Sequence, residues 1–277
     1  MKPYLNDQIE IPRLGMGTWQ LEGQECVNVV KRGLRLGYRL IDTAQVYDNE
    51  EYVGAAIEQS GIARDEIFLV SKIWRDKLTL DEVINSTQKS LSKLKTDYID
   101  LMLIHWPNED IDLSETMAGM QDLVNEGLAK NFGVSNFPVE WLESAQKMAP
   151  EFVTNQVEYH PFIDQAPVYN WLRERGKFLM AYSPLARGQV FKNERISRIA
   201  NKYGVNEAQV TLSWLLQQEA VVAIPKASSV EHLKSNWESQ FLTLESSEVG
   251  EISALKKQHQ RLIDPEFAPS WDIQQTG

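Results

Sequence analysis

In the segment LIDTAQVYDNEEYVG, from Leu40 to Gly54, an apolar run ends on Asp42 and a phenol, Tyr47, follows five residues later. Two further apolar runs, IFLVSKIW and DLMLIHW, reach Lys72 with Trp74 and His105 with Trp106. A carboxylate, a phenol, an ammonium and an imidazole, each where a strand gives way to a loop, can together move a proton. A phenol with a pKa of about 10 is protonated at neutral pH and can donate to an oxygen on which negative charge is building. Lys72 beside it would lower that pKa, and Asp42 would keep Lys72 charged and oriented. His105 could hydrogen-bond the same oxygen and fix the angle of a carbonyl. Such a site reduces a carbonyl to an alcohol if something supplies hydride.

The elements that must position these residues are short apolar runs alternating with longer amphipathic ones. The runs cover residues 13–19, 39–43, 67–74, 100–106, 129–136, 152–158, 177–183 and 220–226, eight in all. Near-continuous apolar runs suit strands buried on both faces, as in parallel sheets. Between them lie segments with helix punctuation. In TLDEVINSTQKSLSKLK, Thr79 and Glu82 can form a capping box, and Val83, Ile84, Thr87, Leu91 and Leu94 share a face. Asn136 before Pro138 reads as a cap and first turn, Gly127 and Gly176 as helix stops, and Asn206 as the cap of VNEAQVTLSWLLQ. Eight βα units in 277 residues, with no linker-like shift in composition, predict an α/β fold, a single (β/α)8 TIM barrel over residues 1–277. Residues 1–11, which include YLNDQIEI, read as an N-terminal hairpin plugging the barrel bottom, and 262–277 as a C-terminal tail.

In a barrel of this kind chemistry gathers at the C-terminal strand ends. The ends carry Thr18 and Trp19, Asp42, Lys72 and Trp74, His105 and Trp106, Ser135 and Asn136, Gln156, Tyr182 and Ser183, and Lys226. Any one of these could be a turn former. As a ring they are harder to dismiss, because a buried Lys or Asp is costly unless paired, and these come from neighbouring strands.

The bulk properties narrow the function. A net charge of −11 disfavours nucleic acid and anionic membranes as partners. No run approaches the roughly 20 apolar residues of a membrane span, and the first residues lack a leader's apolar stretch, so a cytoplasmic protein is expected. Cys26 is the lone cysteine, which rules out an intrachain disulfide and fits a small buried apolar role. His105, His160, His232 and His259 lack zinc-ligand spacing, so no metal is expected, and His160 reads as structural.

The chain resembles the aldo-keto reductases over nearly its whole length, through GMGTW, IDTAQVYDNE, SKIW, DLMLIHWP, GVSNF, NQVEYHP, YSPL and IPK. It is most similar to the short bacterial type that includes the 2,5-diketo-D-gluconate reductases, an impression to which the tail RLIDPEFAPSWD adds. The resemblance implies NADP(H)-dependent reduction of small aldehydes, ketones or keto sugars by a monomer. It makes Asp42, Tyr47, Lys72 and His105 the catalytic tetrad, with Tyr47 as proton donor. It implies that Ser135, Asn136 and Gln156 hold the nicotinamide carboxamide and that Tyr182 stacks on its ring. Gly17, Thr18, Ser183, Leu185, Lys226, Ser228 and Asn236 complete the implied cofactor contacts, Lys226 facing the 2′-phosphate. Ser229 could add a donor at the next helix N-terminus.

Trp19, Trp74 and Trp106, with His105, are expected to line the substrate pocket. Trp141, Trp171, Trp214 and Trp237 lie at helical spacing and read as packing residues. Trp271 reads either as a lid over the mouth or as part of a packed or disordered tail. A Rossmann site is not indicated, because Gln20 stands where the third glycine of G-x-G-x-x-G would fall. After IPK, Ala227 and His232 replace the family's Ser and Arg, so the preference for NADP(H) over NAD(H) should be narrower than usual, with NAD(H) still possible. Two other readings are a Schiff-base lyase or aldolase using Lys72 and a non-catalytic nicotinamide-binding regulatory subunit.

Overall fold

The computed structural model describes residues 2–273. The end of the expected tail, residues 274–277, lies outside the described residues. The chain opens with a small antiparallel pair, β1 (Tyr4–Leu5) and β2 (Glu10–Ile11), in which Tyr4 faces Ile11. Asn6 builds the turn by accepting the Gln8 and Ile9 amides at 2.9 Å each.

Eight parallel strands follow: β3 (Met16–Gly17), β4 (Leu40–Asp42), β5 (Phe68–Ile73), β6 (Leu101–Ile104), β7 (Phe132–Ser135), β8 (Thr154–Glu158), β9 (Phe178–Tyr182) and β10 (Val221–Ala223). Each pairs with the next in sequence order. Parallel bridges from Leu14 to Ala223 and from Gly17 to Lys226 close the sheet on itself. This is the (β/α)8 barrel, with every strand inside one of the expected runs.

The helices that cover it are α1 (Gly23–Leu36), α2 (Glu50–Glu58), α3 (Leu80–Leu94), α4 (Leu113–Asn125), α5 (Val139–Met148), α6 (Ala166–Glu174), α7 (Glu194–Tyr203), α8 (Glu207–Gln217), α9 (Val230–Glu238) and α10 (Ser246–Ser253). None of them is long and apolar enough to cross a membrane.

Strand alternation divides the core in two. Leu40, Val70, Leu103, Phe178, Met180 and Val222 fill the barrel with Ile9 and Ile11, so the N-terminal hairpin does close its bottom. Ile41, Leu69, Met102, Val134, Leu179 and Val221 pack outward against the helices. Each such side chain, fully buried, contributes about 1.5–3 kcal/mol. Gly15 and Gly133 leave room for their neighbours: a Cβ at Gly15 would lie 2.5 Å from Leu40 Cγ, and one at Gly133 2.7 Å from Thr154 Cγ2.

Helix ends follow the sequence in part. Asn206 forms a full capping box with Gln209, and Gly127 and Gly176 adopt left-handed φ just after α4 and α6. The expected Thr79 box does not form. Thr79 occupies the cap position without a side-chain bond, and the Glu82 side chain pairs with Lys77 at 3.2 Å rather than reaching back to the cap. Nor does Asn136 cap α5, since its amide turns into the site. The Val139 amide donates to the Asp272 carboxylate at 3.0 and 3.2 Å, so the tail caps that helix.

Candidate active site

Alternation along β4 and β5 points Asp42 and Lys72 inward above the apolar plug of Leu40 and Val70. Their side chains are 3% and 0% exposed. Lys72 Nζ donates to Asp42 Oδ1 at 2.6 Å and to the Thr43 carbonyl at 2.8 Å. It lies 3.4 Å from the Tyr47 hydroxyl. A short 3-10 turn, Gln45–Tyr47, swings the phenol back over the end of β5. Gln45 holds that turn, accepting the Trp74 amide at 3.2 Å and donating to Ser90 at 3.1 Å. The Tyr47 and Trp74 rings each meet the His105 ring edge-on, at 5.7 and 5.3 Å.

Burial sets the electrostatics. It pushes the Asp42 carboxyl up and the Lys72 ammonium down, and each opposes the other's shift through their contact. Burial, then the Asp42 charge, raises the Tyr47 phenol well above its ordinary value. This corrects the expectation that Lys72 lowers it. The ammonium is spent on Asp42 and Thr43, and desolvation of a phenolate outweighs what remains. Burial, then Lys72, holds the His105 imidazole well below its usual range, so it is neutral at pH 7. Its Nδ1 is buried and has no hydrogen-bond partner among the described residues.

Across the barrel, β7 and β8 contribute a chain of amides. Gln156 Nε2 donates to Asp42 Oδ2 and to Met180 Sδ, at 2.7 and 2.8 Å. Asn136, held at φ +61°, donates to the His105 carbonyl at 3.0 Å and to Ser135 Oγ at 3.1 Å. The Tyr182 hydroxyl donates to Asn136 Oδ1 at 2.8 Å.

Asp42, Tyr47, His105, Asn136 and Gln156 line a cavity of about 540 Å³, walled by Trp19, Trp74, Trp106 and Tyr182. A second cavity of about 600 Å³ shares Trp19, Ser183, Arg187 and Lys226 with it and continues past Leu185, His232 and Asn236. Three expected contacts line neither cavity. Thr18 is fully buried with its hydroxyl donated to the Asp42 carbonyl at 3.0 Å, Ser135 donates to the Gln156 carbonyl at 2.8 Å, and Ser228 lies outside both. The Ser229 hydroxyl is engaged in capping α9.

A nicotinamide dinucleotide needs amide-reading groups at one end of a long cleft and cations for its phosphates along the way. The joined cavities have both. Lys226 and Arg187 border the two and have no ion-pair partner among the described residues. Arg187 rests 5.5 Å from the Trp19 ring. A Cβ on Gly17, which also lines the cleft, would reach 3.0 Å from the Ile224 carbonyl, so a larger residue there would press on the neighbouring strand's backbone.

The sequence reading missed part of the wall. Leu262, Ile263, Asp264, Pro265 and Phe267 line the first cavity, with Val46 and Arg187. The Phe267 ring stands edge-on to Trp74 and Trp106 at 5.7 and 5.5 Å. Trp271 packs behind, against Trp106 and beneath the Arg261 guanidinium at 3.6 Å. The mouth therefore takes Phe267 as its wall, with Trp271 as backing. Asn49 was also overlooked: fully buried, it donates to the Thr18 and Leu21 carbonyls and accepts from Thr43, tying β3 to β4. The four helical tryptophans behave as expected, Trp171 and Trp214 buried and Trp141 and Trp237 packed on Phe137 and Tyr38.

Comparison with known proteins agrees with this geometry. The model of the "Aldo/keto reductase family" matches residues 13–257. A methylglyoxal reductase DkgB of Escherichia coli O157:H7 is 41% identical over 95% of this chain and 99% of its own length. A glyoxal reductase of Bacillus subtilis is 38% identical over 91% of this chain and 92% of its own. A solved structure described as a putative 2,5-diketo-D-gluconic acid reductase B superposes with a TM-score of 0.93 at 37% identity, covering 95% of this chain and 94% of that one. The match in sequence and in barrel, over nearly the full length of each, makes this chain an oxidoreductase of the aldo/keto reductase family.

Proposed function

We propose that the protein reduces small aldehydes, ketones or keto sugars to alcohols with NADPH, Tyr47 giving the proton. The observation that carries this reading is the Tyr47 hydroxyl standing 3.4 Å from a Lys72 ammonium that is itself locked to Asp42 at 2.6 Å. When bound, the dinucleotide supplies a hydride to the carbonyl carbon.

The chain's residues do the rest. Tyr47, kept protonated by burial, donates its phenolic proton to the carbonyl oxygen as charge builds there. Lys72 stabilises the phenolate left behind. Neutral His105 orients the carbonyl oxygen. Gln156, with both N–H bonds already given to Asp42 and Met180, has its amide oxygen to offer the carboxamide. Asn136 and the Tyr182 ring sit beside it. Trp19, Trp74, Trp106 and Phe267 give the cavity an apolar wall, which strengthens the charges inside once substrate displaces water.

Lys226, with His232 farther along the groove, supports NADP(H) over NAD(H) by a narrow margin. The relatives named for methylglyoxal and glyoxal favour small dicarbonyls among the substrates. We further read the chain as a single-domain monomer acting in the cytoplasm. A Schiff base on Lys72 is disfavoured because its Nζ is fully buried and donates to two oxygens. The test is a carbonyl panel assayed with NADPH and NADH. Turnover with NADPH is expected on small dicarbonyls, and none with either nucleotide across the panel refutes the reading.

A further inference from the structure

The motif NQVEYHP ends on a carboxylate that the reaction does not use. Glu158, the last residue of β8, is fully buried, as is His160. The Phe162 amide donates to His160 Nδ1 at 3.2 Å, which places the imidazole proton on Nε2, and that nitrogen donates to Glu158 Oε1 at 2.8 Å. The other donors come from a segment more than a hundred residues away. The Leu262 amide reaches Oε1 at 2.8 Å and the Ile263 amide reaches Oε2 at 2.9 Å.

Both oxygens are thus occupied, and two of the three donors are backbone groups of the tail. Leu262 and Ile263 are themselves cavity wall, and Phe267 follows four residues later. In register, Glu158 lies beside Tyr182. The same tail is fastened at its far end, where Asp272 takes the Val139 amide of α5. Glu158 and Asp272 therefore grip the two ends of the segment that lines the same cavity as Tyr47 and His105.

We propose that Glu158 is a positioning residue for the reaction: by receiving the Leu262 and Ile263 amides it fixes the wall against which a bulky carbonyl substrate must rest. Losing either bond would loosen the segment at residues 262 and 263, leaving the Gln260 amide's bond to the Phe162 carbonyl at 2.8 Å as the upstream tether. Small substrates, which need no far wall, are then spared. The inference rests on carbonyl reduction at this site.

The test uses the full-length protein with Glu158→Gln, whose amide keeps the shape but presents N–H where an N–H donor arrives. Hydrogen exchange at residues 262 and 263, read by mass spectrometry, should speed up about tenfold or more. KM for 2-naphthaldehyde should rise about tenfold with kcat within about threefold. KM for glyoxal and the dissociation constant of NADPH should stay within about twofold. Asp272→Ala, which perturbs no core residue, should raise KM for the aromatic aldehyde in the same direction by a smaller factor.

In the Glu158→Gln background, Phe267→Ala should add less to that KM than it does alone, since the wall is already displaced. Unchanged exchange in Glu158→Gln overturns the inference whatever the turnover. Equal loss on both aldehydes together with weakened NADPH binding also overturns it, by showing a general structural role. An unmutated protein with no turnover on any carbonyl would instead sink the proposed reaction.

Discussion

Gln156 on β8 donates to Asp42 on β4 at 2.7 Å, a bond between residues 114 apart in sequence that spans the barrel. It makes one unit of two groups that sequence motifs present separately, the side chain proposed for the cofactor amide and the carboxylate proposed to stand behind the proton donor. Asp42 then has Lys72 on one oxygen and Gln156 on the other. A change at either partner should be felt on both sides of the site.

Gln156→Leu should therefore lower stability as well as cofactor affinity. It leaves Asp42 Oδ2 buried without a donor, a loss of about 1–3 kcal/mol. Denaturant unfolding and NADPH titration check the two effects. A variant as stable as the parent would show that the bond carries little energy.

Tyr47→Phe removes the proposed proton and little else. We expect kcat to fall by about 10²–10⁴, the range for a positioned acid, with NADPH affinity within about twofold. Full activity in this variant would exclude Tyr47 from the mechanism.

Lys72→Met should be more damaging to the fold than Tyr47→Phe. It strands the Asp42 charge in the barrel, and breaking a buried pair by removing one partner costs about 3–5 kcal/mol. Lys72→Met with Asp42→Asn should recover part of that stability, because no charge is then left alone. Chemical denaturation of the single and double variants is the measurement.

The pH profile follows from the directions of the shifts. The proposed reduction needs Tyr47 protonated and His105 neutral. The phenol is raised, so its loss of proton lies above pH of about 10, and the imidazole is depressed, so its protonation lies below about 6.5. The kcat for reduction should be flat between these limits and fall on the alkaline side. A drop centred near pH 8 would contradict the direction given for Tyr47.

His232→Arg should widen the nucleotide preference. His232 lines the outer cavity with Lys226, and a permanent cation there would favour a phosphate. NADPH affinity at pH 8 is expected to tighten about three- to tenfold, up to about 1.4 kcal/mol, with NADH little changed. Titration of both nucleotides by fluorescence decides it.

Much of this protein was settled by local chemistry along the chain. Near-continuous apolar runs suited the strands of a covered parallel sheet, and eight of them in one chain of this length pointed to a barrel. Asp42, Lys72 and His105 were legible as a set because a strand period of two fixes which side chains share the barrel's inside, and Tyr47 joined them as a phenol five residues past the strand end at Asp42. What tertiary structure decided was every property that depends on distance through space. Asp272 took the cap of α5 from Asn136, and Phe267 took the wall position that Trp271 was a candidate for. The phenol of Tyr47 moved up instead of down, since burial raises the cost of its charge more than a cation already paired with Asp42 can lower it.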